Sequence, residues 1–162
     1  YDRNPCIVFE HKLLYWSKAG EVDFDGDLER VWRARRYTEG TELTLVAFGA
    51  MVHEALAAAA KSSRSIEVIN PFVLQPLAMD SIIESVEKTG RLLVVQESGA
   101  TAGLGEAVIA RAARESRAAW KSRPELLAAP DSPVPFAPEL EAPCRPDAGK
   151  ILTAVDAMFR RR

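Results

Sequence analysis

The chain has 162 residues, 48% of them hydrophobic and 27% charged, with a formal net charge of −2. This is the composition of one globular domain of ordinary size, able to bury about two-thirds of its unfolded surface; the near-neutral balance excludes the basic field of a nucleic-acid binder. No apolar run reaches the roughly 18 residues of a membrane span, no signal-peptide pattern opens the chain, and Cys6 and Cys144 lie far apart without CxxC spacing, so two free thiols in a cytoplasmic setting are expected.

The first element is a short apolar run, Cys6-Ile7-Val8-Phe9, which reads as a buried strand. A strand at the extreme terminus with no hairpin partner suggests that a preceding domain belongs with it. Residues 17–40 are irregular: an acidic piece (Glu21, Asp23, Asp25, Asp27, Glu29) reads as a solvated linker, and a basic one follows at Arg30, Arg33, Arg35 and Arg36. Alternation from Val31 to Tyr37 suits an edge strand with one wet face, ended by a turn at Glu39-Gly40-Thr41.

Strands and helices then alternate. Leu43 to Phe48 is a buried strand, Gly49 a strand-to-helix turn, and Met51 to Lys61 an alanine-rich helix. Ile66, Val68 and Ile69 form the next strand, broken by Asn70-Pro71; a helix from about Ala78 to Lys88 is stopped by Gly90; Leu92 to Val95 is another fully apolar strand. Gly105 opens what reads as the longest helix, with Val108, Ile109, Ala112 and Ala113 on one stripe. Leu126 to Ala129 is a short strand. The proline-rich stretch from Pro130 to Pro146 excludes helix and central strand and predicts an irregular surface loop anchored by Val134, Phe136 and Leu140. Asp147 is placed to cap a last helix, Lys150 to Phe159, with Ile151, Leu152, Val155 and Phe159 as its apolar stripe. The expected fold class is α/β, a three-layer sandwich on a mostly parallel sheet of about five strands.

The turn from Gly99 to Gly105 invites a phosphate-binding reading, because a helix N-terminus after a strand presents free N–H groups. Its spacing fits neither template. No Gly-Lys-Ser/Thr follows at P-loop distance, Val108 stands where a dinucleotide fingerprint needs Gly, and Glu106 would oppose a phosphate. Close helix–sheet packing is the expectation. His11 and His53, the two histidines, have no Cys or second His at ligand spacing. His53 reads as a surface or packed residue, and His11 as structural at a domain junction. No catalytic, cofactor-binding or metal-ligating residue is assigned.

The wording of the chain resembles one family, the C-terminal domain of transketolase-like enzymes. It is most similar to the β subunit of the E1 component of 2-oxo acid dehydrogenases of the pyruvate, branched-chain or acetoin type. The resemblance rests on Leu74-Gln75-Pro76, Ser85-Val86-Glu87-Lys88-Thr89-Gly90-Arg91, Val94-Val95-Gln96-Glu97 and Thr101-Ala102-Gly103-Leu104-Gly105. Pro5 to Tyr15, around Glu10-His11-Lys12, resembles the piece that closes the preceding domain in that family. The implied organisation is the last strand of a largely missing pyrimidine-binding domain over residues 1–16, a linker over 17–40, and a transketolase C-terminal-like domain over 41–162.

The resemblance implies a thiamine diphosphate- and Mg²⁺-dependent assembly whose cofactor ligands lie in other domains, so that this segment binds neither. It also implies an E1 α-like subunit, self-association of β subunits and an acyl acceptor, with no nucleic acid or membrane as partner. Departures from the common wording fall at Asn70-Pro71-Phe72, where Asp-Leu-Arg is usual, and at Ala78, Ala100 and Leu104. Lys121, Arg123 and the tail Arg160-Arg161-Arg162 put positive charge where docking on a basic E2 binding domain would want acidic groups. These five residues are the candidate docking set, for an acidic partner such as an acyl carrier protein in a biosynthetic pathway. The plainer reading is that the terminal arginines complement a helix dipole and stay solvated. A split or single-chain transketolase or deoxyxylulose-phosphate synthase type also stays open, as does a non-catalytic α/β interaction module.

Overall fold

The computed structural model describes residues 3–5, 7–17 and 32–160; Cys6, the whole acidic piece of the linker, Arg30, Val31, Arg161 and Arg162 lie outside them. Five strands form one sheet: β1 (Arg35–Thr38), β2 (Leu43–Ala47), β3 (Ile66–Asn70), β4 (Leu92–Gly99) and β5 (Glu125–Ala129), in the order β1-β3-β2-β4-β5. β3, β2, β4 and β5 run parallel, and β1 joins the edge antiparallel to β3. A four-residue helix, α1 (Leu14–Ser17), precedes the sheet.

The fully apolar runs are central strands because both faces of the sheet are covered. On one face, Leu43, Leu45, Val68, Leu93 and Val95 pack against α2 (Met51–Lys61) and α6 (Ala148–Arg160) through Met51, Ala55, Ala58, Ile151 and Val155. On the other, Val46, Ile69, Leu92 and Val94 meet Ile82 and Val86 of α3 (Met79–Thr89) and Val108 and Ala112 of α4 (Leu104–Glu115). The helices α2, α3, α4 and α6 begin at the end of the sheet where the parallel strands finish. Their charges follow: Glu54, Asp80 and Glu106 lie in first turns, and Lys61, Lys88, Arg114 and Arg160 in last turns.

Two polar sets are buried among this apolar surface. Thr44 Oγ1 is 2.7 Å from Ser85 Oγ and 2.8 Å from Thr89 Oγ1, tying β2 to α3. Glu67, fully buried in β3, is held between Arg36 of β1 (Nε 2.6 Å from Oε1) and the Lys88 ammonium of α3. Paired in this way, its carboxylate escapes the cost of an isolated buried charge.

The core elements lie where the sequence puts them, with corrections elsewhere. Ile7, Val8 and Phe9, read from the sequence as a strand of a preceding domain, pair with no strand among the described residues and are 79%, 81% and 86% exposed. Val134, Phe136 and Leu140 do not anchor the proline-rich segment; they are 65%, 101% and 62% exposed. That segment does contain a helical turn, α5 (Pro138–Glu141), with Pro at the N-terminal position where its missing N–H costs nothing. The segment is instead tied down by Lys150, whose ammonium donates to the carbonyls of Ala142, Pro143 and Arg145. The edge strand is shorter than the alternation suggests, β4 runs on to Gly99, and α6 is longer than α4. Ala113 turns to solvent rather than joining the buried stripe. Asp147 does cap α6: its Oδ1 accepts the Lys150 N–H at 2.8 Å.

Candidate functional site at the two ends of the sheet

Parallel α/β sheets place ligands beyond the carboxyl ends of the strands, where neighbouring connections leave in opposite directions. Here that point lies between β2 and β4, since β2 leads through α2 to β3 and β4 leads through α4 to β5. Gly49 makes the sharp exit from β2 with φ +53°, and Gln96 and Glu97 lie in the final stretch of β4. The crevice is filled by the chain itself. His11 Nε2–H donates to Glu97 Oε2 at 2.7 Å, and Arg145 Nη1 stands 3.9 Å from the other carboxylate oxygen. A Cβ on Gly49 would come within 2.9 Å of His11 Cδ2, so only glycine lets the ring in.

Beside this cluster the glycine turn is closed on itself. The buried Gln96 side chain accepts the Gly105 N–H at 2.7 Å and donates to the Gly99 carbonyl. The Gly103 N–H goes to Ala100 O at 3.0 Å, and the Thr101 N–H to Asp131 Oδ1 at 3.0 Å. The Thr101, Gly103 and Gly105 N–H groups are therefore already engaged within the turn. A Cβ at Gly105 would meet Leu126 Cδ1 at 2.5 Å and Gln96 Oε1 at 2.7 Å, so the glycine there serves helix–sheet contact. Gln96 is the residue that sequence reasoning missed; the only signal was a polar residue directly after four apolar strand positions.

The Thr101 hydroxyl (2.7 Å) and amide hold the Asp131 carboxyl below the usual carboxylate range. A carboxyl lowered in the fold contributes stability that is present above its unfolded value of about 3.9 and lost as the pH falls through the lower folded value. Urea titrations of the parent chain and Asp131→Ala should therefore differ by a constant amount above about pH 4 and converge below it. A difference that persisted at low pH would contradict this assignment.

The opposite end of the sheet gathers the basic residues singled out from the sequence. Lys121 and Arg123 precede β5, and Arg160 ends α6, whose Phe159 ring is flanked by Arg64 (4.3 Å) and Arg91 (4.2 Å) from the turns before β3 and β4. Lys121 is partly committed: its ammonium donates to Thr89 O at 2.9 Å, closing the end of α3. Arg123 is exposed, and Arg160 is 82% exposed with Asp156 at 3.9 Å. Arg161 and Arg162 lie outside the described residues. A shallow groove of about 340 Å³ lined by Thr153, Asp156, Ala157 and Arg160 runs along this part of α6.

The remaining sequence candidates stay apart. His53 is half-buried on α2, Cys144 is a free thiol, and no group of three potential metal ligands occurs among the described residues. No helix among them is long and apolar enough to cross a membrane. At the divergent Asn70-Pro71-Phe72, Asn70 Oδ1 accepts the Phe72 N–H at 3.0 Å, and Arg35 lies 5.0 Å over the Phe72 ring. Aromatic packing thus stands where the usual wording has charges.

Comparison with known proteins agrees with this architecture. Residues 33–151 match the family model described as "Transketolase, C-terminal domain". The β subunit of acetoin:2,6-dichlorophenolindophenol oxidoreductase from Cupriavidus necator is 37% identical over 156 residues, covering 94% of this chain and 46% of that protein. The pyruvate dehydrogenase E1 component subunit β from Bacillus subtilis is 38% identical over 138 residues, covering 83% of this chain and 42% of that protein. The chain thus spans a little under half the length of these relatives. Among solved structures, a split gene transketolase described as an inactive β4 tetramer superposes with a TM-score of 0.69 at 24% identity, over 80% of this chain and 43% of that one, which speaks to the fold. The chain belongs to the transketolase C-terminal domain family.

Proposed function

We propose that the chain is the C-terminal domain of a cytoplasmic, thiamine diphosphate-dependent E1 β-like subunit that decarboxylates a 2-oxo acid, or cleaves a ketol, and passes on the acyl group. The observation that carries this reading is the family match over residues 33–151, together with relatives named as β subunits of an acetoin oxidoreductase and of the pyruvate dehydrogenase E1 component. The reading places the cofactor ligands in other domains; the Thr101, Gly103 and Gly105 N–H groups, bonded within the turn, support it. No catalytic step is assigned to this domain; its role is assembly with an α-like subunit and a second β subunit, and docking of the acyl acceptor.

The test is to co-express the whole β gene product with its α-like partner. Thiamine diphosphate- and Mg²⁺-dependent release of CO₂ from 2-oxo acids, or cleavage of acetoin-type ketols, should follow with an artificial electron acceptor. Absence of turnover with every oxo acid and ketol in an assembled heterotetramer would remove the proposal.

A second reading concerns the acceptor and rests on the basic end of the sheet. Lys121, Arg123 and Arg160, with Arg161 and Arg162, suit an acidic acyl carrier protein better than the basic binding domain of an E2 core. Reversing Arg123 and Arg160 to Glu should abolish capture of a carrier protein in a pull-down at low salt. Tight capture of an E2 binding domain, indifferent to these changes and to loss of the terminal arginines, would exclude the carrier reading.

A further inference from the structure

The segment leading into the domain touches it at very few points. Of residues 7–16, only His11 and Leu14 are not exposed; Leu14 packs beside the α2/α6 core, and the rest of the segment faces solvent. His11 reaches furthest in, between the Gly49 turn and the Glu97 carboxylate that Arg145 approaches from its other side.

We propose that His11 is a latch: it occupies the switch-point crevice that a parallel sheet offers to a small ligand, and so fixes the direction in which the upstream chain leaves this domain. The geometry suits holding rather than chemistry. Nε2 is engaged by Glu97, and Nδ1 is buried without a partner, so neither nitrogen is open to a substrate or to a second proton carrier. Every other party is built for the ring. Gly49 vacates the space, the extension of β4 to Gly99 carries Glu97 past the last apolar residue, and Lys150 binds the carbonyl of Arg145 at 2.7 Å, fixing the backbone from which that guanidinium projects. The contact joins residues 86 positions apart, so it closes the chain between two ends of the fold.

Amide exchange in the whole chain tests this. The reporters are the N–H groups of Leu14, Tyr15 and Trp16, bonded to the carbonyls of His11, Lys12 and Leu13. A hydrogen bond to a charged partner, once lost, should speed their exchange by about tenfold or more in His11→Ala and in Glu97→Leu. His11→Gln, whose amide can still donate to Glu97, should recover part of the protection. Lys12→Ala is the neutral control, and Leu93 and Val94 amides report the core. The latch is overturned if the reporters exchange at the parental rate in both variants, or already exchange like an unstructured peptide in the parent. Equal acceleration of the core amides would overturn it too, since a latch acts on the segment alone.

Discussion

Replacing both Arg36 and Lys88 with Met is expected to destabilise the domain by about 3–5 kcal/mol, the cost of leaving a buried ion without its partners. Glu67 has no exposed surface, whereas the Arg36 and Lys88 side chains are 30% and 38% exposed. The cations can turn to water if the acid is lost, but the acid cannot follow them. The third change, Glu67→Leu, should therefore restore most of the lost stability although it removes another polar group, because buried ion pairs are often replaceable by apolar side chains. Urea denaturation of the parent, double and triple variants decides it. A triple variant no more stable than the double would mean that the charge of Glu67 is not what the two cations relieve.

Gly40→Ala is expected to cost about 3 kcal/mol, at the upper end for overpacking, read as a fall in urea midpoint at unchanged slope. A Cβ there would overlap the backbone at Ile66 and Glu67, and β3 is a central strand with no freedom to move aside. The control is Gly149→Ala in α6. Its Cβ meets only the Asp147 carboxylate at 3.2 Å, and helix propensity favours alanine, so the change should stay within about 1 kcal/mol. Comparable losses at the two sites would refute the packing account of Gly40.

What could be read from the sequence follows one physical rule. Runs such as Leu43 to Ala47, polar only at Thr44, and Leu92 to Val95 put apolar residues on both faces, and a strand covered on both sides satisfies that. The same rule misleads at Val134 to Leu140, where apolar content says nothing about what lies alongside. Polar residues hide more. Gln96, Glu97 and Ser98 look like the start of a loop, yet they continue β4, and two of them build the crevice. Glu67 reads as an interruption of its strand until Arg36 and Lys88 arrive from elements 31 residues before it and 21 after it. The basic residues Lys121, Arg123 and Arg160 can be named one by one, but their gathering at one end is a property of the parallel topology. Pairings across the chain carry no local periodicity, and these are what define both ends of the sheet.

The common direction of the helices has an electrical consequence that a net charge of −2 conceals. Four peptide macrodipoles point the same way, each amounting to about half an elementary charge at either end. The last-turn residues Lys61, Lys88, Arg114 and Arg160 set cations against the negative ends, but Lys88 is shared with Glu67 and Glu39, Arg114 with Glu115 and Arg160 with Asp156. The end where the parallel strands begin is therefore a mosaic of paired charges and not a bare negative pole. An orienting field left by such pairs fades once the ionic strength shortens the screening length to about 8 Å.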